Sequence, residues 1–297
     1  MIESGRAPYG ACGHQDGGGL DPQLAEELGL SFPGAHYEPG SLAAMAVSLM
    51  KKNRGSLALL PFCCTVEAEA LGANINLGNA AIGPRPGDFV HHSLTEFMSS
   101  GREIDLESGR LAAILKACRM LAEDGHKVAV EISGPLSILS GLMELSLVVK
   151  AWRKDERLMR KAFEYLGGLI IKYALALKAS GAVIVSYADP VAAPGIIGPG
   201  YSRALAEIFL SRFLGQLKDE LQGTTIHLCP NTARLLTDCG LGRWRPISIS
   251  PGLGYQNACL DLAGQAGFLG QACLKRRNYS PPGGLITELT LSDSAVA

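Results

Sequence analysis

From about residue 120 onward, short apolar runs alternate with longer amphipathic segments. Lys127–Ile132 (KVAVEI) reads as a strand that stops at the turn Ser133-Gly134-Pro135. Across Glu156–Ser180 the apolar residues Leu158, Ala162, Tyr165, Leu166, Leu169, Ile170, Tyr173 and Leu177 recur at helical spacing. Gly181 follows as the C-terminal cap that such a helix needs. Ala182–Tyr187 (AVIVSY) is β-branched and continuously apolar, as a strand buried on both faces should be. The pattern then gives a helix over Tyr201–Leu221, a strand over Thr224–Leu228 and a helix over Asn231–Asp238. A short strand over Pro246–Ile249, a helix over Asn257–Gly264, and strands over Gly267–Gln271 and Leu285–Leu291 complete the series.

Repeated βα units of this kind predict a parallel sheet. The residues with chemistry to offer fall just after strand ends: Ser133-Gly134-Pro135, Asp189-Pro190, His227 to Pro230, and Cys273. A (β/α)8 TIM barrel gathers its strand C-termini on one face, where active sites lie. The competing fold, a doubly wound open sheet, calls for a glycine-rich phosphate turn after its first strand. Gly17-Gly18-Gly19 lacks that context and reads as a flexible loop. The expected organisation is an extension over residues 1–30 and one catalytic barrel over residues 31–297.

Composition changes this picture little. The 297 residues are 47% hydrophobic and 19% charged, ordinary values for a globular protein. The 27 basic and 28 acidic residues nearly cancel, and no basic run invites a nucleic-acid backbone. The polar, glycine-rich start lacks the apolar core of a secretion signal, and no stretch is apolar enough for a membrane helix. The expected location is therefore the cytoplasm. There the eight cysteines do not form a disulfide framework. Cys63, Cys64 and Cys118 sit in hydrophobic surroundings and are expected to be small buried apolar residues, whereas Cys12, Cys229 and Cys273 lie beside turns or strand ends.

His227 and Cys229 form a strand-end His-x-Cys, and residues two apart on a strand point to the same side. A nitrogen and a sulfur donor so placed suit zinc, whose catalytic sites keep three protein ligands and one open position. The structural alternative is a buried, hydrogen-bonded histidine beside a core cysteine. For a third donor, Cys273 follows the strand GFLGQAC and would reach the same rim. Cys239, at the end of the next helix, and Cys259, at a core position in the following one, are its rivals. Asp189 could orient the His227 ring, hold substrate or move a proton, or could simply cap a turn before Pro190. Glu67 and Glu69 cannot share a helix face, so one should face solvent and the other inwards. His36 sits in the loop FPGAHYEP, open to either a surface or a site role, and Tyr187 is a candidate for the cleft lining or for the core.

Taken in order, PFCCTVEAEALGANINLG, ISGPLSILSGL, GAVIVSYADPVAAPGIIGP and IHLCPNTARLL resemble the uroporphyrinogen decarboxylase superfamily. They are most similar to its corrinoid-linked branch, the methylcobamide:coenzyme M methyltransferases and related methyltransferases, and GAHYEP matches a histidine-bearing stretch of that branch. The resemblance, over roughly residues 30 to 275, implies a TIM barrel, a zinc site and a corrinoid protein partner that carries the methyl group on cobalt. By position it makes His227 and Cys229 zinc ligands, and it matches Glu69 and Asp189, but not Glu67, to the family's carboxylates. Two departures stand out: Pro230 replaces the usual glycine after His-x-Cys, and no glycine-cysteine-glycine stretch supplies the third ligand, so that Cys273 must substitute.

The reaction so implied moves a methyl group between a small molecule (a methoxylated aromatic, another methyl donor, or a thiol) and cobalt. Zinc would act as Lewis acid, and Asp189, Glu69 and His36 would position or protonate the oxygen. The missing family cysteine tilts the expectation towards the demethylating direction. The rival readings are a decarboxylase acting on an acid, for which the first 50 residues supply only Arg6 as an arginine, and a non-catalytic subunit that docks a corrinoid protein. The apolar helices of the fold are compatible with a homodimer.

Overall fold

The structure, a computed structural model, describes residues 20–276 and 278–292. Arg6, Cys12 and Gly17–Gly19, with the first 19 residues of the expected extension, lie outside the described residues.

Nine strands are present among the described residues: β1 Ala58–Leu60, β2 Ile75–Asn76, β3 Arg85–Pro86, β4 Val128–Ser133, β5 Ala182–Ala188, β6 Thr225–Leu228, β7 Gly242–Ser248, β8 Phe268–Leu269 and β9 Leu285–Leu291. β2 and β3 form a small antiparallel hairpin. The other seven make one sheet in the order β1-β4-β5-β6-β8-β9-β7. From β1 through β8 all neighbours run parallel; β9 then runs antiparallel to both β8 and β7. The α/β architecture with a mostly parallel sheet is the one expected, with two additions. The last two strands join in antiparallel register, and β7 extends back to Gly242, beyond the expected Pro246–Ile249.

The long helices cover one face of the sheet, and the short helix Tyr255–Asp261 lies on the other. Val128, Val130 and Ile132 of β4 and Val185 and Tyr187 of β5 point into the main core, with Phe163, Leu166 and Ile170 of the helix Glu156–Ala179. That helix ends as expected, with Gly181 at φ +94°, a conformation a side chain would strain. The expected helix over Tyr201–Leu221 is a continuous run of Pro199–Leu205, a π turn at Ala206–Leu210 and Ser211–Glu220. Alternation turns the intervening strand residues to the other face, where Leu57, Ala129, Ile184 and Leu269 meet Tyr255, Cys259 and Ile286 in a second, smaller core.

The open edge of β1 is held by one side chain. Gln256 Oε1 accepts from the backbone N–H of Ser56 (2.7 Å) and Leu57 (3.2 Å), while its Nε2 donates to the Leu274 carbonyl (2.7 Å). The amide thus ties the sheet edge to the segment that follows β8. At the N-terminal end, Leu20, Leu24 and Leu28 pack on the main core, Asp21 caps the helix Pro22–Glu27, and residues 20–30 form part of the packed body. Among the described residues no single helix is long and apolar enough to cross a membrane.

Candidate functional site

Glu131, Ser186 and His227 stand side by side on β4, β5 and β6, since the register pairs Glu131 with Ser186 and Ser186 with His227. They face away from the main core, on the same side as Ala129, Ile184 and Leu269. The row is made by strand alternation: each polar residue lies two positions after, or directly across from, an apolar residue of the smaller core.

His227 is buried and held at both ring nitrogens. Nε2 lies 2.9 Å from the Ala272 carbonyl and Nδ1 lies 2.8 Å from Ser186 Oγ. A carbonyl only accepts, so Nε2 carries the proton, and Nδ1 accepts from the serine hydroxyl. Burial pushes the imidazole down to about 4, and it is neutral at physiological pH. Beside the row, Lys275 Nζ meets Glu131 Oε2 at 3.0 Å. Burial disfavours the ammonium, but the neighbouring Glu131 outweighs it and holds the lysine above its ordinary value. A small cavity of about 20 Å3 is bounded by Glu131, Ser186, Cys273 and Lys275. Cys229 stands at the N-terminus of the helix Pro230–Asp238, its N–H donating to the Tyr187 carbonyl at 2.8 Å, and both Cys229 and Cys273 are partly exposed.

The three expected zinc donors therefore share a neighbourhood: Cys273 follows the residue whose carbonyl holds His227, and Cys229 follows His227 by two. They do not form a three-donor centre as arranged. Among the described residues no three His, Cys, Asp or Glu side chains converge to hold a metal ion, and both His227 ring nitrogens are engaged in hydrogen bonds. Cys259 is fully buried in the smaller core, and Cys239 closes the helix after His227 at its far end.

Asp189 is buried and its carboxylate is consumed by a neighbouring helix. Oδ2 accepts from the N–H of Leu136 (3.1 Å); Oδ1 accepts from the N–H and the hydroxyl of Ser137 (2.9 and 2.6 Å). It caps the helix Pro135–Leu142 from a different strand end. Burial nevertheless raises its carboxyl to about 6, the hydrogen bonds opposing. Tyr187, expected as a candidate lining residue, is fully buried in the main core with its ring 5.5 Å from Phe213. A strand position facing the helices put it there.

A second cluster gathers around Arg110, a buried arginine of the helix Gly109–Glu123 that sequence reasoning passed over. Its Nε donates to Glu69, Nη1 to Cys63 Sγ (3.2 Å), and Nη2 to the Thr65 carbonyl and hydroxyl (3.2 and 3.0 Å). Tyr37 OH donates to Glu69 Oε1 at 2.7 Å. The expectation that the two glutamates diverge holds: Glu67 is buried, accepting from the Ser133 N–H at 2.8 Å, with burial raising its carboxyl, while Glu69 is only partly buried. The cysteines correct the apolar expectation. Cys118 is buried, but Cys64 is exposed and Cys63 is a half-buried acceptor for Arg110. Glu131 and Arg110 gave one usable signal, a charge at a strand or helix position where the pattern calls for an apolar residue; Lys275, in a turn, gave none.

His36 lies in the 3-10 turn Gly34–Tyr37, buried edge-on to Phe32 with ring centroids 4.9 Å apart. Its Nε2 is buried without a partner. Burial, with Arg110 nearby, pushes the imidazole down to about 4. The unfolded chain binds this proton near 6.5 and the folded chain does not, so stability is complete above pH 6.5 and falls as pH drops to 4. His36 accounts for roughly 3 kcal/mol of that loss. His36→Phe keeps the contact with Phe32, and urea unfolding at pH 7 and pH 4.5 should show a smaller difference in the variant than in the wild type.

The family profile described as uroporphyrinogen decarboxylase (URO-D) matches residues 12–253. The chain is 26% identical over 235 residues to the methylcobamide:CoM methyltransferase MtaA of Methanosarcina barkeri, covering 78% of this chain and 68% of that one. It is 26% identical over 216 residues to MtbA of Methanosarcina mazei, also named a methylcobamide:CoM methyltransferase, covering 70% and 61%. A solved structure described as a methyltransferase from Methanosarcina mazei superposes with a TM-score of 0.62 at 26% identity, over 73% of this chain and 65% of that one. The chain thus spans about two thirds of the length of these relatives. The profile over most of the length, with which the mostly parallel α/β sheet agrees, makes this chain a member of the uroporphyrinogen decarboxylase (URO-D) family.

Proposed function

We propose that the chain is a corrinoid-dependent methyltransferase that moves a methyl group between a small substrate and the cobalt of a corrinoid protein. The likeness to proteins named methylcobamide:CoM methyltransferases carries the reading. The row Glu131–Ser186–His227 supports it, because Cys273 and the Glu131–Lys275 charge pair border the same small cavity beside it.

The finer part of the proposal is that zinc binds at His227, Cys229 and Cys273, where it would activate a thiol or a methoxy oxygen. Loading requires the other imidazole tautomer: Nδ1–H donating to Ser186 Oγ and Nε2 released from Ala272. A serine hydroxyl is suited to this role, since it can donate to or accept from the ring. The remaining residues act without a metal. The Glu131–Lys275 pair would fix the polar end of the substrate. Glu69, held by Arg110, and the neutral His36 nearby would position an oxygen, with methoxylated aromatics as the favoured donors. Asp189 acts through the helix it caps, as a positioning residue.

The test is methyl transfer with a reduced corrinoid protein against methoxylated aromatics, thiols and methylamines, with metal analysis of the same preparations. One zinc per chain and transfer to or from cobalt are expected, both lost in Cys229→Ser. Full transfer by metal-free protein would remove zinc from the mechanism; no transfer with any member of the panel would overturn the whole reading.

A further inference from the structure

A cavity of about 380 Å3, within the size range of small-molecule sites, runs along the open edge of β1. Its wall is one-signed: Arg54, Lys275 and Arg276 line it, and among the described residues no aspartate or glutamate does. Lys275 is answered by Glu131, and Arg276 lies over the Tyr279 ring, 4.4 Å from its centre. Two guanidinium groups are left without a carboxylate in the wall, in a protein whose net charge is only -1.

Three further observations converge on the same space. Arg54 and Asn278, both lining residues, are the non-glycine residues at positive φ among those described, each at +51°. Such conformations are held by their surroundings and concentrate where ligands are clamped. Asn53, another lining residue, has its Oδ1 buried with no hydrogen-bond partner, an acceptor in want of a donor. Finally, the Ala58 N–H bonds to the Lys127 carbonyl on the β4 side, so alternation turns the peptide groups of Leu59 towards the open edge, where Leu59 lines the cavity. Phe62, Leu57 and Tyr255 add apolar surface.

We propose that this cavity is a binding site for an organic anion with an apolar body: a carboxylate or phosphate held by Arg54 and Arg276, and a hydroxyl or amino group donating to Asn53. The site goes beyond the methyl-transfer reading and stands without it. It shares Leu59 and Lys275 with the smaller cavity beside Cys273, so the two spaces adjoin.

The test uses the full chain and two fluorescent probes, 8-anilinonaphthalene-1-sulfonate and the neutral N-phenyl-1-naphthylamine, which differ by the sulfonate. The anionic probe should saturate a single site at least tenfold more tightly than the neutral one. Arg54→Ala combined with Arg276→Ala should bring it down to the neutral level. Ser280→Glu, at an exposed lining position, should do the same without disturbing the core. Displacement by 4-hydroxybenzoate or by 4-hydroxyphenyl phosphate tells a carboxylate ligand from a phosphate one. Equal binding of the two probes, undiminished binding in both variants, or displacement by neither anion would overturn the site. Cys229→Ser should bind the probe as the wild type does, so that loss of this site and loss of methyl transfer are told apart.

Discussion

Arg110→Met is expected to lower the stability of the fold by about 3–5 kcal/mol, the loss typical of removing one partner from a buried ion pair. The guanidinium serves four acceptor atoms on three residues at once, Glu69, Cys63 and Thr65. Methionine fills much of the same volume, so the loss reports the stranded polar groups more than a void. Glu69 is the group left worst off, since its charge keeps only the Tyr37 hydroxyl. Adding Glu69→Gln should therefore recover part of the loss, and the cycle isolates the coupling. Urea midpoints at constant slope measure it. Equal losses for Arg110→Met and the double variant would show that the ion pair contributes nothing beyond packing.

Gly134→Ala is the second severe change. Gly134 has φ -79°, so its backbone would accept any residue; space is what forbids one. A Cβ there would sit 2.4 Å from the Tyr187 hydroxyl, 2.4 Å from Asp189 Cβ and 2.5 Å from Asp189 Oδ2. Tyr187 and Asp189 are both fully enclosed and cannot swing aside. To admit a methyl group, Asp189 must leave Leu136 and Ser137, which adds the loss of a helix cap to the cost of overpacking. Together these come to about 2–4 kcal/mol. Because Cys229 hangs from the Tyr187 carbonyl, the same variant should also weaken the proposed zinc binding in a chelator competition. A variant that unfolds at the wild-type urea midpoint would show that the β4–β5 junction yields more easily than its distances imply.

The C-terminal half of the fold was legible where its strands are rich in apolar and β-branched residues and its helices are long. β5 and β9 match their expected bounds to within a residue, and the helix Glu156–Ala179 does too. β7 was only partly legible for a physical reason. An edge strand has one neighbour, so Arg243, Arg245 and Pro246 stand there without breaking a ladder on both sides, and no apolar alternation marks it. The antiparallel turn of β9 was hidden likewise, since direction leaves no trace in a strand's composition. In the site, His227 and Cys229 showed themselves by spacing, and the polar face of β4 and β5 did not. Glu131 and Ser186 become partners of His227 and Lys275 only through register, which no single segment encodes. Arg110 is further still from its partners in sequence, and its burial follows from a helix packing on Val66–Ala70.

The Gln256 amide gives the sheet an uneven resistance to opening. Elsewhere a strand leaves only by breaking a ladder shared with its neighbours, but the edge at Ser56 and Leu57 is fastened to the segment after β8 by three hydrogen bonds of one side chain. Rotation about a few side-chain bonds releases all three, on the timescale of rotamer exchange rather than of unfolding. Amide exchange at Ser56 and Leu57 is therefore expected to be faster than at the paired strand amides and to be insensitive to changes in global stability.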